Sequence, residues 1–223
     1  MEMFKIKNEL TNRIFTIIIL LPILLYATIY SGIYLILLLI IFYFLSVYEI
    51  IKNTQNIYFN LLANILLIFS FFSFYYLRGS NEYSLTILFW ILISTFLSDI
   101  GGYIFGKIFK GKKLTKISPN KTYSGSIGSL ISSCLSLPLL NSAQYLFFSE
   151  LLVNFLGFDF LIFTIFISCF CQLGDIFVSF WKRKIKIKNI SNILPGHGGV
   201  LDRIDGLIFV LIFCLTLKLI ALI

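Results

Sequence analysis

The residues best able to do chemistry in this 223-residue chain lie in one run, Leu194-Pro195-Gly196-His197-Gly198-Gly199-Val200-Leu201-Asp202-Arg203-Ile204-Asp205. It joins a glycine-rich turn, the only histidine and two carboxylates spaced three residues apart. Glycines such as Gly198 and Gly199 allow positive φ and close backbone approach, so consecutive amides can point at phosphate oxygens where a helix begins. Asp202 and Asp205 then share one face of that helix, and hard carboxylate oxygens at a phosphate site suit Mg²⁺. A plain helix start would explain acidic residues through the macrodipole, but not the Pro-Gly-His-Gly-Gly in front of them.

Two further carboxylates, Asp99 and Asp175, fall inside apolar runs, where an ionisable group is expensive and marks a functional site by default. Ser168, Gln172, Asp175 and Ser179 recur at spacings of four, three and four, which places them on one face of a helix otherwise built of Phe, Ile, Leu and Cys. Ser98, Gly102 and Gly106 form a small-residue stripe beside Asp99 that lets a second helix approach closely. Between the Asp175 helix and the glycine turn lie Ser179, Lys182, Arg183 and Lys188. An earlier stretch, Ser118-Pro119-Asn120-Lys121-Thr122-Tyr123-Ser124-Gly125, offers a second cationic, hydroxyl-bearing wall for phosphate.

The elements that must position these groups are membrane helices. The chain is 59% hydrophobic, 17% aromatic and 13% charged, with mean hydropathy +0.97. A soluble domain is about 45 to 50% apolar and about a quarter charged, so a soluble globule and a disordered chain are both excluded. Long Leu/Ile/Phe runs without strict alternation exclude a porin-type barrel. Cys134, Cys169, Cys171 and Cys214 are embedded in apolar segments without metal or disulfide spacing and read as packing residues. Segments of about 20 apolar residues predict an all-α, polytopic bundle of roughly seven spans. They are Ile14–Tyr30, Tyr34–Ile50, Tyr58–Leu77, Ser84–Phe105, Gly125–Phe148, Phe158–Trp181 and Ile204–Leu222. The first reads as a membrane helix rather than a cleaved signal peptide.

With the N-terminus in the cytoplasm, all of the 18 Lys and Arg except Arg78 and Lys218 lie on that side, as the positive-inside rule requires. The net charge of +8 is thereby assigned to topology and to anionic head groups or phosphorylated substrates, not nucleic acid. The organisation expected is one membrane domain over 1–223: hydrophobic spans in 1–98, a catalytic region with two cytoplasmic basic loops in 99–205, and a last span in 206–223.

The run Ser179-Phe180-Trp181-Lys182-Arg183, then Lys188-Asn189, then Leu194 to Asp205, resembles the signature of the phosphatidate cytidylyltransferase (CDP-diacylglycerol synthase) family. Gly174-Asp175-Ile176, Ser118-Pro119-Asn120-Lys121-Thr122 and Asp99 with its following glycines are similar to that family too. The resemblance spans Asp99 to Asp205; the N-terminal spans match only in hydrophobicity, and the chain is short for the family. Asn189 stands where the family usually has Asp, Val178 where it has Glu, and Ser124 where it has Glu. Each departure removes a negative charge.

The resemblance implies an enzyme of phospholipid biosynthesis that transfers the cytidylyl group of CTP to phosphatidate, releasing diphosphate. It implies Mg²⁺, with Asp175 and Asp202 as metal ligands, one or two cations, a multi-pass protein of the cell (inner) membrane with its site facing the cytoplasm, and a homodimer. Attack of a phosphatidate oxygen on the α-phosphorus needs no serine or cysteine nucleophile, only charge neutralisation and alignment. The expected parts are Asp175 and Asp202 with Asp205 in support, Lys182, Arg183, Lys121 and Arg203 on phosphates, and His197 either as donor to diphosphate or as a brace of the turn. Ser118, Thr122, Ser179, Lys188, Gly198, Gly199 and Asp99 complete the expected substrate contacts. A transporter would not need the glycine turn with paired acids. A non-catalytic relative or a CTP-dependent lipid kinase are the alternatives.

Overall fold

In a computed structural model of the chain the described residues are 2–115, 121–147, 153–187, 190–191, 193–196 and 198–220, with side chains described from residue 15 onward except at 146 and 147. They form eight helices: α1 Glu2–Tyr30, α2 Gly32–Asn53, α3 Ile57–Arg78, α4 Glu82–Phe109, α5 Tyr123–Cys134, α6 Ser136–Phe147, α7 Phe158–Lys184 and α8 Leu201–Leu219. Strand pairing among the described residues is limited to two isolated bridges, Lys113 with Thr122 and Leu194 with Gly198.

Among the described residues five helical segments are long and apolar enough to cross a bilayer: Gly32–Asn53, Ile57–Arg78, Glu82–Phe109, Tyr123–Tyr145 and Phe158–Lys184. The Phe15–Tyr30 part of α1 is a shorter apolar stretch. Helix α8 occupies the seventh expected span and carries Asp202, Arg203, Asp205 and Lys218. The fifth expected span is divided at Leu135 into α5 and α6. Pro138 accounts for the break, since it donates no N–H and its ring crowds the carbonyl four residues back, at Cys134.

Burial is inverted relative to a soluble protein. Phe44, Phe69, Phe72, Phe96 and Phe166 are exposed, whereas Ser46, Ser73, Ser94, Ser98, Ser133, Ser136, Thr164 and Ser168 are buried. With no water in a hydrocarbon core, hydroxyls must be satisfied internally and rings can face lipid. Ser46 donates to the Phe42 carbonyl at 2.8 Å, Ser94 meets Ser136 at 2.8 Å, and Thr164 donates to Phe160 at 2.7 Å.

The chain divides into two compact units, one of Met1–Phe71 with Trp181–Ile204 and one of Phe72–Phe180 with Asp205–Ile223. In the second, α4 and α5 lie along each other. The small-residue stripe makes this possible: a Cβ at Gly102 would meet Ser129 Oγ at 2.5 Å, and one at Gly125 would meet the Gly102 carbonyl at 2.8 Å. Helices α7 and α8 meet through another glycine pair, where a Cβ at Gly174 would lie 2.6 Å from the Asp205 carbonyl. The core of this unit is Trp90, ringed by Phe155 and Phe160, with its indole N–H donated to Thr164 Oγ1 at 3.0 Å.

In the first unit α1 and α2 turn back on each other through Ser31 and Gly32, which have φ of 52° and 58°. Trp181 stacks on Phe59, with centroids 5.6 Å apart and planes within 4° of parallel.

Candidate active site

Two constellations of charged groups emerge, one in each unit. The first is a cavity of about 240 Å³ in the second unit, lined by Asp99, Tyr103, Lys121, Thr122, Gln172 and Asp175 among others. The basic loop after α4 returns as a short bridge, with Leu114 N–H on the Lys121 carbonyl at 2.7 Å and Tyr123 N–H on the Lys112 carbonyl at 3.1 Å. Thr122 then caps α5 by accepting from Gly125 N–H at 3.1 Å. This fixes Lys121 at the cavity wall, where its ammonium donates to Asp175 Oδ2 at 2.7 Å. Both side chains are about a quarter exposed, at 24% and 25%, so the pair is open to a ligand yet shielded from bulk water.

The face predicted for α7 is present in full down to Asp175. Ser168 meets Ser98 at 2.7 Å, Gln172 accepts from Ser126 Oγ at 2.5 Å, and Asp175 holds Lys121. Asp99 reaches the same region from α4 and accepts from the Cys171 thiol at 3.1 Å. Cys171 therefore has a polar contact as well as the packing role expected of it, and all four cysteines are free. Asp175 Oδ1 lies toward α8, 3.2 Å from where a Cβ on Gly206 would sit. Ser179 is half-buried on α7.

The second constellation is the glycine turn in the first unit. Leu194 and Gly198 exchange N–H···O bonds at 2.9 and 3.0 Å, and Gly196 and Gly198 adopt φ of 73° and 87°, conformations that favour glycine. Thr16 of α1 donates to the Pro195 carbonyl at 2.8 Å, and Asn53 of α2 donates to the Ile190 carbonyl at 2.8 Å. Lys182 donates to Asp202 Oδ1 at 2.9 Å, while Asp202 Oδ2 accepts from Ile190 N–H at 3.0 Å. These two side chains are only 16% and 14% exposed.

One participant was not anticipated. Glu49 of α2 is fully buried and accepts from Val200 N–H at 2.8 Å, from Leu201 N–H at 2.9 Å and from the Ser191 hydroxyl. The amides expected to face phosphate at the start of α8 are thus, at Val200 and Leu201, bonded to a carboxylate of the protein itself. A Cβ at Gly199 would fall 3.1 Å from both Glu49 oxygens and 3.2 Å from Asp202 Oδ2, which explains why no side chain stands there.

Of the other expected residues, Arg183 and Arg203 are exposed, on α7 and α8 respectively, and Asp205 accepts from Gly206 N–H at 3.0 Å. Ser118, Lys188 and His197 lie outside the described residues, as does Asn189. Two of the three departures are placed. Val178 is buried at 5% exposure, and Ser124 donates to the Lys110 carbonyl.

Mg²⁺ requires hard oxygen ligands in near-octahedral array. Asp175 and Asp202 offer hard carboxylate oxygens, and among the described residues no three His, Cys, Asp or Glu side chains gather into a ready cage. That pattern fits a cation bound through one or two carboxylates and completed by water and substrate phosphates, the usual habit of Mg²⁺. In this structure both carboxylates are held by lysines instead.

Apolar helices with exposed rings, and a carboxylate–lysine pair in each unit, define a multi-pass α-helical membrane protein. Residues 52–220 match the model of the cytidylyltransferase family, and the chain belongs to that family. It is 35% identical over 173 residues to a phosphatidate cytidylyltransferase of Bacillus subtilis, covering 76% of this chain and 62% of that protein. It is 41% identical over 139 residues to the phosphatidate cytidylyltransferase of Staphylococcus haemolyticus, covering 62% of this chain and 51% of the relative. A Staphylococcus aureus protein of the same name is 40% identical over 144 residues. The chain spans between about half and three-fifths of the length of these relatives.

Proposed function

We propose that this protein transfers the cytidylyl group of CTP to phosphatidate, forming CDP-diacylglycerol and diphosphate. The observation that carries the reading is the pairing of Lys121 with Asp175 at a cavity among membrane helices, in a chain whose similar relatives bear the name phosphatidate cytidylyltransferase. A phosphatidate phosphate oxygen attacks the α-phosphorus of CTP, the bond from that phosphorus to the β-phosphate oxygen breaks, and diphosphate leaves in line. Lys121 and Lys182 supply ammonium donors to the phosphate oxygens, and exposed Arg183 and Arg203 add cationic charge for the incoming nucleotide. Asp175 in one unit and Asp202 in the other would hold the one or two divalent cations, with Asp205 in support. When bound, Mg²⁺ supplies charge neutralisation and alignment of the reacting oxygens. Asp99, Thr122, Ser179, Gly198 and Gly199 complete the substrate contacts, with Ser118, Lys188 and His197 assigned from the sequence pattern.

The lipid keeps its acyl tails in the bilayer while CTP arrives from the cytoplasm, which accords with N-terminus-in topology and seven spans. The distribution of Lys and Arg supports that orientation.

The test is purified protein in detergent with phosphatidate and CTP labelled at the α-phosphate, with and without EDTA. Mg²⁺-dependent label in the lipid phase is expected. Label remaining in water-soluble CDP, with a newly phosphorylated lipid, would reverse the assignment in favour of a kinase.

A further inference from the structure

We infer that Glu49 is a positioning residue, holding the glycine turn and the first residues of α8 so that Asp202 and Lys182 stay in register. Glu49 lies on α2, outside residues 52–220 that match the family, and more than 140 residues from the groups it binds. Its carboxylate is fully buried, and its two oxygens accept from three donors: the Ser191 hydroxyl, Val200 N–H and Leu201 N–H. A buried carboxylate is costly unless its charge is met. Here it sits where α8 begins, against orphan N–H groups and the positive end of the helix dipole. The same α2 turn contributes Asn53, whose amide donates to both the Glu49 and Ile190 carbonyls, at 2.6 and 2.8 Å. Ile190 in turn gives its N–H to Asp202. Asp202 is therefore gripped on both sides, through Ile190 and through Leu201, which immediately precedes it, and both holds lead back to α2. Gly199 closes the arrangement, since a Cβ there would press on both Glu49 oxygens and on Asp202.

This differs from shape-filling in one decisive respect. Glutamine has nearly the same volume as glutamate, but it has a single acceptor oxygen and turns an NH₂ toward at least one of the three donors. Aspartate is shorter by one methylene yet keeps every acceptor. If Glu49 only fills space, Glu49→Gln is the milder change; if it holds the turn by accepting hydrogen bonds, Glu49→Asp is.

The positioning can be read without activity, while its effect on turnover rests on the cytidylyl transfer proposed above. Hydrogen exchange of the peptide spanning residues 190–203 in the detergent-purified chain should speed up at least tenfold at Val200 and Leu201 in Glu49→Gln, less in Glu49→Asp, and not at all in the exposed control Glu82→Gln. Cytidylyl transfer should fall about a hundredfold in Glu49→Gln, the scale of a displacement of about 1 Å at a reacting group, with Glu49→Asp retaining more. Wild-type exchange at Val200 and Leu201 in Glu49→Gln, or a glutamine variant that outperforms the aspartate one, overturns the inference. Should Glu49→Gln fail to fold, Gly199→Ala attacks the same contact from the other side and must give the same local loss of protection; unchanged exchange there overturns it equally. An absence of cytidylyl transfer in the wild type would count against the proposed reaction, leaving exchange to judge Glu49 alone.

Discussion

The Lys182–Asp202 pair lends itself to a double-mutant cycle, because its two parts should answer differently. At the observed 2.9 Å the Coulomb attraction is about 1.4 kcal/mol in a water-like dielectric and roughly 6 kcal/mol at an effective dielectric of 20. With side chains 16% and 14% exposed the pair sits nearer the second limit, and the lost hydration and ordering of both groups offset part of the gain. A net coupling of about 2 to 3 kcal/mol follows, in the range of strong charge-assisted bonds. Asp202→Asn leaves the Lys182 ammonium without its anion and forces one amide oxygen to choose between Lys182 and Ile190 N–H. It should cost about 3 kcal/mol, as should Lys182→Met in the opposite sense, by stranding a largely buried charge.

The double variant removes both charges and keeps an acceptor for Ile190 N–H, so it should recover most of the coupling energy. Detergent-titrated unfolding, followed by the fluorescence of Trp90 and Trp181, reads that energy. Turnover must not recover with it, since the double variant has neither a carboxylate for the cation nor an ammonium for phosphate. A coupling below about 0.5 kcal/mol would show the pair to be a loose surface contact. A double variant that regains turnover would remove both residues from the chemistry.

Three other outcomes follow from the same geometry. Lys121→Met should lower turnover by about a hundredfold while leaving α4 and α5 packed, because it deletes one charge-assisted donor from the cavity without touching the glycine contact; the check is turnover alongside unfolding. Gly125→Val should cost at least about 1 to 3 kcal/mol of stability, since its first added carbon would stand 2.8 Å from the Gly102 carbonyl and 3.2 Å from Thr122 Oγ1. Val178→Glu, which restores the acidic residue seen in the resembling family, should lower thermal stability at pH 7 and lose less at pH 5, where the carboxyl is easier to protonate; equal loss at both pH values would place that side chain in a polar environment.

Composition and periodicity carried the sequence reading as far as they could physically reach. The α7 face from Ser168 to Asp175 was legible because a helix projects residues four apart onto one side and each polar residue there was conspicuous among Phe and Ile. The close approach of a neighbouring helix to α4 was legible for a similar reason, since Gly102 and Gly106 leave room, which Ser129 and Gly125 of α5 take up. The break at Leu135 had a signal in Pro138, overridden by a count of apolar residues that treats a kinked helix as a straight one. Glu49 is the instructive omission. Its partners are mainly backbone amides, which every residue carries, so no spacing in the sequence points from α2 to the start of α8. An ionisable group at the end of an apolar run was the available sign, and it applied to Glu49 as fully as to Asp99 and Asp175.

The lysine partners also set the terms on which a cation could bind the two carboxylates. Lys121 donates to Asp175 at 2.7 Å and Lys182 donates to Asp202 at 2.9 Å. Under the proposed reaction a divalent cation must compete with those ammonium groups, so its affinity in the absence of nucleotide is lowered. The same competition releases a lysine next to the place where phosphate charge arrives, and a polyphosphate brings anionic oxygens both for that lysine and for the cation. Cation and nucleotide should therefore bind with positive coupling, each strengthening the other by the same factor. Calorimetric titration of Mg²⁺ with and without a non-hydrolysable CTP analogue measures that factor, and Lys182→Met should tighten Mg²⁺ binding alone while shrinking the coupling. Equal Mg²⁺ affinity in wild type and Lys182→Met would mean that lysine and cation do not contend for the same carboxylate.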